Sequence, residues 1–104
     1  MYEEVLKACK EWYCTIQTLH VDKLITKIDT DSGKTFIANI DTKQYLSQLV
    51  VSEPECRPYR FVELTIMDIS KDISDQPVFW YGDKEGDTTD EIINSLNKGL
   101  KMLL

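Results

Sequence analysis

Three large rings follow one another at Phe79, Trp80 and Tyr81, inside the run Pro77-Val78-Phe79-Trp80-Tyr81-Gly82-Asp83-Lys84-Glu85-Gly86-Asp87. The run reads as a short aromatic strand that breaks into an acidic, glycine-punctuated loop. Successive strand side chains point to opposite faces, so a single core cannot take all three rings. At least one ring must meet a second surface, either a covering helix or a partner. With Phe79 and Tyr81 turned inward, Trp80 points outward together with Val78.

The rest of the chain supplies elements for that strand to pack against. From residue 2 to about 21, Tyr2, Val5, Leu6, Cys9, Trp12, Tyr13, Ile16 and Leu19 recur at three- and four-residue steps, which is one stripe of an amphipathic helix. Lys23 to Ile28 and Lys34 to Ile40 alternate as a hairpin around the turn cluster Asp29-Thr30-Asp31-Ser32-Gly33. Asp41-Thr42-Lys43-Gln44 has the spacing of a capping box, and Tyr45, Leu46 and Leu49 after it predict a short helix to about Val50. Ser52 to Pro58 contains two prolines and reads as a loop.

Tyr59 to Ile69 predicts the longest strand. It is apolar on both faces, as expected of a central strand covered at least partly on each side. Pro77 suits the start of the strand ending at Tyr81. Thr88-Thr89-Asp90-Glu91 is a second capping box, and Ile92, Ile93, Leu96, Leu100 and Leu103 form the stripe of a closing helix. Gly99 within that stripe permits a close approach to the sheet. The expected fold is a two-layer α+β sandwich: a mainly antiparallel sheet of about four strands with N- and C-terminal amphipathic helices packed on it. At 104 residues the chain is expected to form one domain, 1–104.

Charge narrows the function. The chain carries −6 overall, and residues 1–28 balance four acids with four bases. Between Asp68 and Glu91 eight acids face two bases, a local net of −6. Such a field disfavours phosphate contact, so neither direct nucleic-acid binding nor an anionic membrane surface is expected. A basic protein surface suits it. Apolar runs are far too short for a membrane span, and the acidic N-terminus lacks the basic and apolar segments of a secretory signal. With an odd number of cysteines (Cys9, Cys14, Cys56), this predicts a cytoplasmic protein without a closed disulfide framework.

Catalytic and metal signatures fail on spacing. Cys9, Cys14, His20 and Cys56 contain no Cys-x-x-Cys unit, and residues five apart lie about 140° apart around a helix. A Cys56–His20 dyad has no supporting motif. Counted from Asp83, an EF-hand would need glycine where Thr88 stands and glutamate where Asn94 stands. Asp68, Asp72 and Asp75 straddle a loop and read as a polar turn. No phosphate-binding glycine loop, His-Glu-x-x-His or Gly-x-Ser-x-Gly occurs. No catalytic residue, metal or cofactor is assigned.

Two kinds of function fit these residues. In the first, the protein is a non-catalytic interaction module, comparable in size and charge to small acidic inhibitors and immunity proteins. Trp80 anchors a basic partner, beside Tyr81, while Asp83, Glu85 and Asp87 steer the encounter. A homodimer formed through the fourth strand is a related form. In the second, a small-molecule or minor enzymatic pocket lies between sheet and helices, where Tyr13, His20, Cys56, Tyr59 and Arg60 are the polar groups to converge.

Overall fold

Two helical stripes and five alternating segments set the architecture. The computed structural model describes residues 2–53 and 60–104. Helix α1 (Tyr2–Leu19) turns Val5, Leu6, Cys9, Trp12, Tyr13 and Ile16 into the core. It ends two residues short of the expected boundary. The His20 carbonyl accepts from Lys23 N–H and Leu24 N–H, each at 3.0 Å, and closes a turn that leaves Leu19 exposed. Helix α2 (Thr89–Leu103) begins as its capping box predicts: the Thr88 hydroxyl accepts from Glu91 N–H at 3.2 Å.

Strands β1 (Ile25–Asp31), β2 (Phe36–Asp41), β3 (Tyr45–Val51), β4 (Val62–Asp68) and β5 (Phe79–Gly82) form one antiparallel meander in the order β1-β2-β3-β4-β5. The α+β sandwich with terminal helices is therefore the fold, with five strands in place of about four. The additional strand is β3, where a short helix is expected from the sequence. Thr42 Oγ1 accepts from Gln44 N–H (3.1 Å) and Tyr45 N–H (2.9 Å), so the residues expected to cap a helix build a hairpin turn instead. The same short side-chain-to-backbone bonds serve both purposes. In β3 the buried positions are Ser47, Leu49 and Val51, a period of two.

Both helices lie on one side of the sheet. That side carries Phe36, Ala38 and Ile40 from β2 and Val62, Leu64 and Ile66 from β4, all buried. Tyr13 stacks edge-on against Phe36, with ring centroids 5.4 Å apart, and its hydroxyl donates to Asn39 O at 3.0 Å. Trp12 Nε1 donates to Asn97 Oδ1 at 2.8 Å and ties α1 to α2. Gly99 brings α2 close to the sheet: a Cβ there would stand 2.6 Å from Leu64 Cδ2 and 3.0 Å from Phe79 Cε1.

Among the described residues, no element covers the other side of the sheet. Lys27, Asn39, Gln48, Thr65 and Trp80 form one row across it, and Leu46 stands opposite Met67 in the next. β4 lies inside the sheet as expected and is fully covered on the helix side; on the other side Glu63 and Thr65 are half-buried and Met67 is exposed, with no second helical layer among the described residues. No helix among those residues is long and apolar enough to cross a membrane.

Candidate functional site

The three consecutive rings divide as strand alternation requires. Phe79 and Tyr81 pair with Ile66 and Leu64 on the helix side and pack at the margin of the core. Trp80 pairs with Thr65 on the open side and keeps 49% of its surface exposed. Val78 does not accompany it outward; it lies before the strand, half-buried against the core. Among the described residues, β5 is an edge strand with β4 as its one neighbour.

Trp80 is held in place by two neighbours. The indole lies across Gly82, where an added Cβ would come within 2.6 Å of ring atoms Cη2 and Cζ2. The Arg60 guanidinium sits 5.1 Å from the ring centroid, in cation–π range, and its Nη1 would stand 2.5 Å from the same Cβ. Arg60 adopts φ 72°, a left-handed backbone that only a few per cent of non-glycine residues take.

The acidic residues after β5 split into two groups. Asp83 is buried, and its carboxylate accepts from Val62 N–H at 2.8 Å and Arg60 N–H at 3.1 Å. It secures the start of β4 and is not on the surface, so the expected steering role does not extend to it. Asp87 Oδ2 accepts from Tyr81 OH at 3.0 Å and Lys84 N–H at 2.9 Å, closing the loop over Gly86, which takes φ 92°. Burial, then the bond to Asp87, pushes the Tyr81 hydroxyl pKa above its ordinary value. Glu85 is exposed, as are Asp90 and Glu91 on the first turn of α2. Trp80, Tyr81, Lys84, Asp87, Glu91 and Ser95 line one shallow cleft of about 350 Å³ along the β5 edge. This groups the indole with two carboxylates.

Of the five residues expected to line an internal pocket, the three that are described lie apart. Tyr13 is buried in the core, His20 lines the groove between α1 and α2, and Arg60 lies with Trp80 on the open side of the sheet. Cys56 and Tyr59 lie outside the described residues. Cys9 is buried among core side chains, and burial with the nearby Asp83 charge pushes its thiol pKa up to about 12. Cys14 is exposed. Asp68 accepts from Ser70 Oγ (2.6 Å), Ser70 N–H (2.9 Å) and Gln44 Nε2 (3.2 Å), and the Ser70 bonds hold its carboxyl below the usual range. Among the described residues no three His, Cys, Asp or Glu side chains converge as a metal site would require.

Glu91 and Gly82 escaped the sequence reading as site residues. Glu91 carried the visible signal of a helix cap, and nothing local reports that α2 begins beside the indole. The contact of Arg60 with Trp80 depends on the pairing of β4 with β5, which no spacing encodes. No protein family, curated protein or solved structure matches this chain.

Proposed function

We propose that this protein is a non-catalytic interaction module that receives a basic partner surface along the β5 edge. One observation carries the reading: the half-exposed indole of Trp80 shares a cleft with the carboxylates of Asp87 and Glu91. A flat aromatic anchor beside acids favours an arginine or lysine side chain, which can stack on the ring and pair with a carboxylate. The chain's own Arg60 already makes such a stack, which supports the geometry. Glu85 and Asp90 extend the negative field around the cleft and raise the encounter rate with a cation-rich surface.

The test begins with the partner recovered from the native source. Its affinity is then measured for the wild type, Trp80→Ala and Glu91→Lys. Truncating an anchor of this kind weakens binding at least tenfold, or about 1.4 kcal/mol. Association also slows as salt rises. Undiminished binding by both folded variants would overturn the reading.

A further inference from the structure

We propose that the open face of the sheet is a self-association surface, on which a second copy of this chain packs face to face. The surface shares Trp80 and Arg60 with the partner reading, and the two are told apart by opposite salt responses and by variants of Leu46 and Thr65, which lie outside the β5 cleft.

The first observation is charge. The pairing register and the Arg60 contact place two bases on this face, Lys27 and Arg60, and three acids, Asp41, Glu63 and, at the β1 bulge, Asp29. The face carries −1 in a chain of net −6, so most of the excess negative charge lies elsewhere. Two copies repel one another least when they meet here, and a twofold axis brings opposite signs within reach across the contact. Asp41 is also partly occupied, accepting from Ser47 N–H at 3.1 Å.

The second observation is apolar content. Ile25, Leu46, Met67 and Trp80 are 64%, 49%, 39% and 49% exposed, and all four project from this side. Leu46 and Met67 stand directly opposite each other, and Trp80 is diagonal to Met67, so three of them run together across β3, β4 and β5. A shallow groove of about 370 Å³ crosses the face between Asn39, Gln48, Thr65, Leu46 and Met67. Sheets pack face to face through such interdigitating rows at about 10 Å separation.

The third is size. Five strands of four to seven residues, at about 4.8 Å between strands and about 3.4 Å per residue, present roughly 500 Å² in projection. Side chains standing off the sheet add to this. A contact over the whole face therefore falls at the small end of interfaces, near or below about 600 Å² per partner, where weak and transient associations lie. That size fits a reversible dimer rather than an obligate one.

Sedimentation equilibrium of the full chain tests the proposal, over concentrations up to about 1 mM. The expected result is a monomer–dimer equilibrium that tightens with added salt, because salt screens the net charge of each copy. This is the opposite of the salt response expected for a basic partner. Leu46→Lys and Thr65→Arg, made separately and checked for fold by circular dichroism, each weaken the dimer at least tenfold. Leu19→Lys, on the exposed end of α1, leaves it unchanged. A monomer at every concentration overturns the proposal. So does a dimer that survives both face variants, or one that Leu19→Lys dissociates.

Discussion

Asp83 holds Val62: its buried carboxylate accepts the Val62 N–H at 2.8 Å, across the point where β5 ends and β4 begins. The second oxygen takes the Arg60 N–H at 3.1 Å. Two main-chain donors at the head of β4 thus depend on one side chain. The contact also fixes Arg60 beside Trp80, so the stability of the sheet and the geometry of the candidate site share a residue.

Removing that carboxylate strands both donors. Asp83→Ala is expected to destabilise the fold by about 2–4 kcal/mol, because the buried Val62 N–H left unpaired costs about 1–3 kcal/mol and the part-buried Arg60 N–H about 1 kcal/mol more. Asp83→Asn retains one good acceptor and costs less. Urea denaturation of the two variants checks the order, and equal stability of wild type and Asp83→Ala would refute the role.

Ser47 is a polar side chain on the core face of β3. Its hydroxyl is buried and finds no hydrogen-bond partner among the described residues, between strands whose neighbouring positions are apolar. Ser47→Ala is therefore expected to stabilise the protein by about 1 kcal/mol, by removing a desolvated group that gains nothing in return. The denaturation midpoint should rise with an unchanged slope.

That same serine hid β3 from a reading of the sequence. With Ser47 counted as polar, Tyr45, Leu46 and Leu49 matched a helical step after an apparent cap, and the period of two through Ser47, Leu49 and Val51 went unseen. The two real helices were legible because their stripes are long and Thr88 does cap α2. Strands β2, β4 and β5 were legible because Phe36, Ala38 and Ile40 line one face of a hairpin arm, because Tyr59 to Ile69 is a long β-rich apolar run, and because three consecutive rings demand two faces. The site was only half legible. The exposure of Trp80 follows from alternation alone. The burial of Asp83 does not, because a carboxylate in an acidic loop looks solvated until the chain ends it must bind are brought to it by strand pairing. Arg60 reaches the indole, and Glu91 the cleft beside it, through tertiary placement that leaves no periodic trace.

Cys9 gives the fold a response to alkali. Burial raises its pKa from 9.0 to about 12, with the Asp83 charge adding to the shift. The native state thus keeps the thiol proton where the unfolded chain would release it. The resulting contribution to stability is whole below pH 9 and declines as pH climbs from about 9 toward 12. The raised Tyr81 hydroxyl acts in the same direction. Denaturation midpoints should fall between pH 9 and 11, and Cys9→Val, which cannot ionise, should flatten part of that fall. In the native protein at pH 8, Cys9 should resist alkylation while Cys14 reacts, as peptide mapping would reveal. Rapid modification of Cys9 without unfolding would contradict its burial.

Gly82 is the floor on which the Trp80 indole lies. A methyl group there would meet Cη2 and Cζ2 at 2.6 Å and Arg60 Nη1 at 2.5 Å, and all three are tips of long side chains on a half-exposed surface. They can swing away, so Gly82→Ala should change global stability by no more than about 1 kcal/mol, the size of an ordinary surface effect. The local consequence is larger. The indole lifts from the sheet, loses Arg60, and gives up its place in the cleft that it lines with Asp87 and Glu91. Trp80 fluorescence, isolated by subtracting a Trp80→Phe variant, should shift to the red and become more easily quenched by acrylamide. Binding of a basic partner should weaken in parallel, although no partner contact has been removed. If Gly82→Ala leaves both the emission and the affinity of Trp80 unchanged, the indole is not seated on this glycine and its pre-set orientation contributes nothing to recognition.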